Sequence, residues 1–329
     1  MTKNNSCLNQ IKLLLGNPAH RPSLVDFANI ITKKLSLLVC GHVMKEDGPV
    51  NIANLKDGMQ HWLKDHEIAG YYSFVQNQSL GTGAKMCMSI SGLGKLSPNL
   101  VLIGFKNNWR QDLGGLKDYM EVMFNAFDLN MSFCMLRTNE GFDFSSQIAS
   151  EQQIIREVPV EKGDDEEDVT GAGLAIPDNA GETNKRTRKV STAVYRGADG
   201  NNLDNKTVDK IIQFRQKKRT GTIDVWWLYD DGGLTLLLPH IITTRKQFKD
   251  CKLRVFTLAN KNDQIDLETR NLASMLSRFR IDFESVNALP DVTKKADAAT
   301  KAEFDAMIAG CEIPETELQE EREKTNRFN

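Results

Sequence analysis

Long apolar runs are missing from this 329-residue chain: none approaches the roughly 18–20 residues that a bilayer-spanning helix needs. Residues 1–10 are polar and lack the apolar centre of a secretory leader, so the chain taken alone is expected to be a soluble protein of a reducing compartment. Net charge is nearly absent as well, at -2, which gives no basis for binding nucleic acid or an anionic surface. The six cysteines (Cys7, Cys40, Cys87, Cys134, Cys251, Cys311) form no CxxC pair. Cys40, Cys134 and Cys251 fall in or beside apolar strand candidates, where a reduced core thiol is expected rather than a disulfide or a metal ligand. The five histidines form no HExxH, so no zinc site is expected. GxGxxG, GxxxxGK[ST] and GxSxG do not occur. Ser89, Ser91 and His240 lie in helix candidates without neighbours that would activate them, and no catalytic residue is assigned.

What is present is a regular alternation of strands and helices in two regions. Residues 8–140 hold apolar strand candidates at 11–15, 35–39, 72–75, 100–105 and 131–136. Helical stripes lie between them. One has Leu24, Phe27, Ala28 and Ile31 after Pro22, where a missing N–H is tolerated. Others cover 52–66 and 83–93, and a last one has Leu116, Tyr119, Met120, Met123, Phe124 and Phe127. Residues 220–310 repeat this grammar, with strands at 223–229 and 253–258, a helix at 234–247, and a stripe of Leu272, Met275, Leu276 and Phe279. A short strand at 283–289 and a helix at 301–308 complete it. The fold class expected is α/β: two Rossmann-like lobes with mostly parallel sheets, related by internal duplication, the second lobe apparently truncated. Residues 145–215 have an acidic block (Asp164 to Asp168) and a basic one (Lys185, Arg186, Arg188, Lys189) with no apolar period, which predicts a disordered charged linker. Residues 311–329 read as an exposed acidic tail.

Gly16, Gly41 and Gly104 each follow an apolar strand of the first lobe, and open parallel sheets bind ligands beyond the carboxyl ends of their strands. Arg21, His42, Lys106 and Arg110 lie just past those ends and can neutralise an anion. The candidate cofactor-binding set is therefore Gly16, Arg21, Gly41, Gly104 and Lys106; the competing reading is that glycine sits at such turns for steric reasons alone. SLGTGAK at 79–85 looks like a piece of a phosphate loop, yet it lacks the lysine-hydroxyl pair and reads better as a helix start. Asp230–Asp231 either holds Mg²⁺ at a strand end or caps the following helix. Side chains alternate along a strand, so Ile223, Val225 and Trp227 point to one face and Trp226 and Leu228 to the other; a strand apolar on both faces is expected in the middle of a covered, mostly parallel sheet. One ring is expected in the core and the other under a helix, while an exposed ring would mark a partner interface. Pro239 should kink its helix, because it cannot bond back to Thr235. Ser191, after Arg188-Lys189-Val190, offers a basic-directed kinase a site.

Residues 222–242, TIDVWWLYDDGGLTLLLPHII, closely resemble a signature of the cation-chloride cotransporters in their sodium-potassium-chloride branch. The likeness continues in Lys249 to Phe256 and in Leu276 to Phe283. In the first lobe, Arg21-Pro22-Ser23-Leu24, Leu38-Val39-Cys40-Gly41-His42-Val43, Gly92 to Asn99 and Val101 to Lys106 resemble the same proteins in the same order. The resemblance implies the carboxy-terminal cytosolic domain of an electroneutral transporter of Na⁺, K⁺ and Cl⁻. It further implies two Rossmann-like lobes, no transport chemistry of its own, a homodimer and coupling of regulation to a membrane domain, with regulatory kinases as candidate partners through Ser191. Some members hold a nucleotide in the first lobe, so the glycine rim is a candidate site for ATP, with no cofactor required. The place expected is the cytoplasmic face of a membrane as part of a transporter, or the cytosol if this chain is the whole product. With Met1 just before the first strand and the last strands of the second lobe missing, the expectation is a partial product or a free-standing regulatory relative. The alternative function is a nucleotide-binding sensor on the same fold.

Overall fold

The computed structural model describes residues 11–33, 36–45, 51–92, 97–159, 187–217, 220–227, 234–259, 265–289 and 295–309. It divides into two units, one made of Met1–Phe142 with Ile212–Asn329, the other of Asp143–Ile211.

In the first unit the chain opens with β1 (Ile11–Leu15), a 3-10 turn (Pro18–His20), α1 (Pro22–Thr32), β2 (Leu38–Met44), α2 (Ile52–Asp65) and β3 (Gly70–Gln76). It continues through α3 (Leu80–Ser89), β4 (Leu100–Gly104), α4 (Leu113–Asp128) and β5 (Ser132–Leu136). The five strands pair in parallel in the order β3-β2-β1-β4-β5, a doubly wound arrangement whose order reverses between β1 and β4. Alternation along the strands splits the core in two. Leu38, Cys40, Tyr72, Leu100 and Leu102 pack with α1 and α2. Val101 and Ile103, on the other face, pack with Ala84, Cys87 and Met88 of α3 and Tyr119, Val122 and Ala126 of α4.

Helix starts follow the capping chemistry of the sequence. Asn51, Ser79 and Asp112 accept hydrogen bonds from Asn54 N, Thr82 N and Gly115 N, so α2, α3 and α4 begin right after them. The SLGTGAK segment is thus a capped helix start, with α3 beginning at Leu80 rather than Gly83. β2 also departs from expectation. It runs over Leu38–Met44, because β1 and β3 flank it and pair with it as far as His42 and Met44 respectively. Gly41 therefore lies inside the strand, opposite Leu14, not beyond its end.

After the second unit, which holds β6 (Ser150–Pro159), β7 (Thr187–Arg196) and α5 (Asn205–Ile211), the chain forms β8 (Gly221–Trp227), α6 (Leu234–Thr243), β9 (Cys251–Leu258), α7 (Ile265–Arg278), β10 (Ser285–Leu289) and α8 (Ala298–Ile308). The strands pair in parallel in the order β10-β9-β8, repeating the first half of the other sheet. Val225, Leu253 and Val255 form one core with Leu236 of α6 and Leu272 and Leu276 of α7. β8 was expected mid-sheet and covered on both faces; among the described residues it is an edge strand with one face bare. Trp227 turns into this core, while Trp226 on the opposite face is 52% exposed and stacks on Phe256 with ring centres 4.6 Å apart.

α6 explains why its sequence is apolar almost all round. Leu236 faces its own sheet, whereas Leu234, Leu238, Ile241 and Ile242 pack against the core that contains α1. The helix that follows the first strand of one lobe thus meets its counterpart in the other. Pro239 stands inside α6, which continues to Thr243. Thr243 Oγ1 and Thr244 Oγ1 then donate to the carbonyls of His240 and Ile241, at 2.8 and 2.7 Å, and secure the last turn. Two polar links join the same region. Arg215 Nε donates to the buried carboxylate of Asp26 on α1 at 2.7 Å, and Arg245 Nη2 donates to the carbonyl of Ile31 at 2.8 Å.

The second unit holds β6 (Ser150–Pro159) and β7 (Thr187–Arg196), paired antiparallel along their whole length, and the short α5 (Asn205–Ile211). The reading of residues 145–215 as wholly disordered does not describe these segments. Charge composition hid two strands carrying Ile154, Ile155, Val158, Val190 and Val194, residues that favour extended backbone. Tyr195 and Ile211 are buried here, and Leu203 N bonds to Tyr195 O at 2.9 Å. The acidic block at 164–168, Lys185 and Arg186 lie outside the described residues, as does the tail at 311–329.

Candidate functional site at the carboxyl rim of the first sheet

The order of the first sheet reverses between β1 and β4, which marks the crevice beyond their carboxyl ends as the default ligand site of such a fold. β1 ends at Leu15. Asn17 Oδ1 accepts from Ala19 N at 3.0 Å and Arg21 N bonds to Pro18 O at 3.0 Å, so the chain folds back at once and Pro22 opens α1. That fold-back lays Arg21 over Gly16: a Cβ built at Gly16 would stand 3.0 Å from Arg21 Nη1. Next to it, Ser23 is fully buried in the first turn of α1, and its Oγ has no hydrogen-bond partner among the described residues. A cationic group and an unsatisfied buried hydroxyl at the start of an 11-residue helix fit a phosphate or carboxylate.

The rest of the rim is engaged differently from what the sequence implied. Lys106 Nζ is held by Asp112 Oδ2 at 2.7 Å, and this bond draws the Asp112 carboxyl below its ordinary range. Arg110 lies over the Trp109 ring, 4.9 Å from its centre, on an exposed stretch. His42 is partly buried, and burial, then the charges of Arg21 and His20, lower its pKa to about 4. It is therefore neutral at physiological pH and supplies no positive charge; its Nδ1 lies 2.7 Å from Tyr72 Oη. Gly104 is the last residue of β4, but the space above it is filled, since a Cβ there would meet Phe142 at 2.9 Å and Leu24 at 3.2 Å. Tyr119 Oη donates to Gly104 O at 2.9 Å, and burial pushes the phenol up to about 12. The structure thus lays Arg21 over Gly16, and two residues on in the first turn of α1 it buries the hydroxyl of Ser23, which sequence reasoning missed. Its signal was available as the hydroxyl directly after Pro22. Gly41 and Lys106 are not part of that arrangement.

Other candidates resolve as parts of the scaffold. Ser89 Oγ and Ser91 Oγ donate to the carbonyls of Lys85 and Cys87 four residues back, at 2.8 and 2.6 Å. Cys40 and Cys87 are buried free thiols, and burial pushes the Cys134 thiol up to about 11. Ser191 sits within β7, paired with Ile155 of β6. Asp230, Asp231, Gly232 and Gly233 lie outside the described residues.

Comparison with known proteins gives a consistent result. The sequence model of solute carrier family 12 matches residues 21–328. The chain is 32% identical to solute carrier family 12 member 2 of Danio rerio, over 95% of this chain and 29% of that protein. It is 31% identical to the bumetanide-sensitive sodium-(potassium)-chloride cotransporter of Manduca sexta, over 97% of this chain and 35% of the relative. Against human solute carrier family 12 member 1 the identity is 32%, over 91% and 28%. The chain therefore spans about a third of the length of these relatives. Among solved structures, the cytoplasmic domain of a prokaryotic cation chloride cotransporter is 12% identical, covers 87% of this chain and 80% of its own, and gives a TM-score of 0.47. No helix among the described residues is long and apolar enough to cross a membrane.

Proposed function

This chain belongs to solute carrier family 12, and on that premise we propose that it forms the cytosolic, carboxy-terminal regulatory part of an electroneutral sodium-potassium-chloride cotransporter. In this reading it performs no catalysis and contains no ion path. It pairs with a second copy and passes regulatory changes to the membrane domain of the transporter. The observation that supports the reading is the breadth of the family match, which runs through both lobes and includes α6, the helix packed against both. The choice of ions follows the printed names of relatives such as the Manduca sexta cotransporter. The test joins this chain to the membrane part of that cotransporter in place of its own carboxy-terminal portion and measures chloride-dependent rubidium uptake. Uptake above that of the membrane part alone supports the reading; equal uptake at equal surface expression overturns it. Sedimentation of the chain over a hundredfold concentration range tests the pairing, and a monomer throughout removes it.

A second reading, a nucleotide sensor, is favoured by Gly16, Arg21 and Ser23. ATP would seat its phosphates at the start of α1 against the Arg21 guanidinium, with Gly104 bordering the crevice. The fit is partial, because Asp112 holds Lys106 and Phe142 covers Gly104. Calorimetry with ATP on the wild type and on Arg21→Ala decides: heat lost in the variant supports this reading, and no heat from the wild type ends it. Regulation by a kinase at Ser191 is checked by mass spectrometry of the chain isolated from cells with active kinases.

A further inference from the structure

The second sheet has a face that nothing described covers. Asp224 and Trp226 of β8 and Arg254 and Phe256 of β9 stand side by side on it in register. Asp224 takes a two-pronged ion pair from Arg254, at 2.7 and 2.6 Å, and the Arg254 guanidinium lies 5.7 Å from the Phe256 ring centre. Lys252, further along β9, is paired with Glu284 at 2.6 Å. The charges are thus matched within the face, and what remains to cover is the Trp226–Phe256 stack. Parallel sheets almost always have both faces covered.

The first lobe shows how such a face is covered. There the third strand, β3, is followed by α3, which crosses to the face opposite α1 and α2 and packs Ala84, Cys87 and Met88 on it. Right-handed crossovers require this change of face once the strand order reverses. β10 is the third strand of the same order in the second lobe, and α8 follows it. α8 buries none of its residues. Phe304 and Met307 are 56% and 42% exposed, and with Ile308 they form an i, i+3, i+4 stripe. A helix of 11 residues is marginal in water without a partner. Eight residues, 290–297, join β10 to α8. Extended, they reach about 26 Å, against about 10 Å across three strands.

We infer that α8 is a strap that closes over the bare face of the second sheet, seating Phe304 and Met307 on the Trp226–Phe256 stack. Open, it exposes Trp226; closed, it completes the lobe as α3 completes the first. Hydrogen exchange of the full chain, read on peptides covering 298–308, tests this. The wild type is expected to exchange about tenfold or more slower there than unstructured chain. Trp226→Ser and the pair Phe304→Ser with Met307→Ser should each release that protection while peptides of the first sheet stay unchanged. Both sites are exposed, so neither change empties a core. Unprotected α8 amides in the wild type overturn the inference, and so does protection that survives both variants. Protection that fades on dilution overturns it too, because the cover is then a second copy.

Discussion

Replacing Asp26 by alanine tests how firmly the segment that leads into β8 is pinned to α1. Asp26 is 5% exposed and receives Arg215 Nε at 2.7 Å, across a separation of 189 residues. Breaking a buried ion pair by removing one partner costs about 3–5 kcal/mol, because the other charge is stranded. The Arg215 side chain keeps 32% of its exposure, so water recovers part of that loss, and the expected cost is about 2–3 kcal/mol. With a urea slope of about 2 kcal/mol/M this moves the unfolding midpoint down by about 1 M. A double-mutant cycle with Arg215→Met isolates the pair from the other bonds of Asp26 and should give a coupling of about 2 kcal/mol. The exposed Lys217–Asp250 pair serves as a control: Asp250→Ala should not move the midpoint measurably. A coupling below about 0.5 kcal/mol, the level of a surface pair, refutes the argument that this bond is shielded.

Three other outcomes are expected. His42 is held neutral, with a pKa near 4 against 6.5 when unfolded, so the unfolded chain binds more protons between these values and stability should fall as pH drops from 6.5 to 4. The full displacement corresponds to about 3 kcal/mol, reduced by solvent screening to on the order of 1–2 kcal/mol; in His42→Gln that part of the acid sensitivity should vanish from urea titrations at pH 7 and pH 4.5. Gly104→Ala places a methyl 2.9 Å from Phe142, and overpacking of this kind should cost about 1–3 kcal/mol in thermal unfolding. Leu253→Ala, at a side chain 2% exposed in the second core, should cost about 2–5 kcal/mol, measured the same way.

The alternation of apolar strands and amphipathic helices was legible because each period is set locally by backbone geometry. Partners across the fold were not. Nothing in the order of residues shows that Asp112 takes up Lys106, which depends on the path of the turn between β4 and α4, or that Phe142, beyond β5, closes over Gly104. Gly41 read as a strand end because glycine usually marks one; two flanking strands hold it inside β2 instead. The apolar content of β8 pointed to a covered central strand, yet its outward residues Asp224 and Trp226 alternate with the buried Val225. The charge blocks around 164–189 dominated the reading of that region and masked the pairing of β6 with β7. The family, by contrast, was readable from residues 222–242 and their companions in the first lobe, and the match over residues 21–328 agrees.

The packing of α6 against the core around α1 has a mechanical consequence. The two lobes are joined by a shared apolar surface as well as by the peptide chain that runs out through β6 and back through β7. Pieces ending at Phe142 and beginning at Ile212, which lack β6 and β7 altogether, should therefore still meet on a sizing column, because α1 and α6 carry the contact.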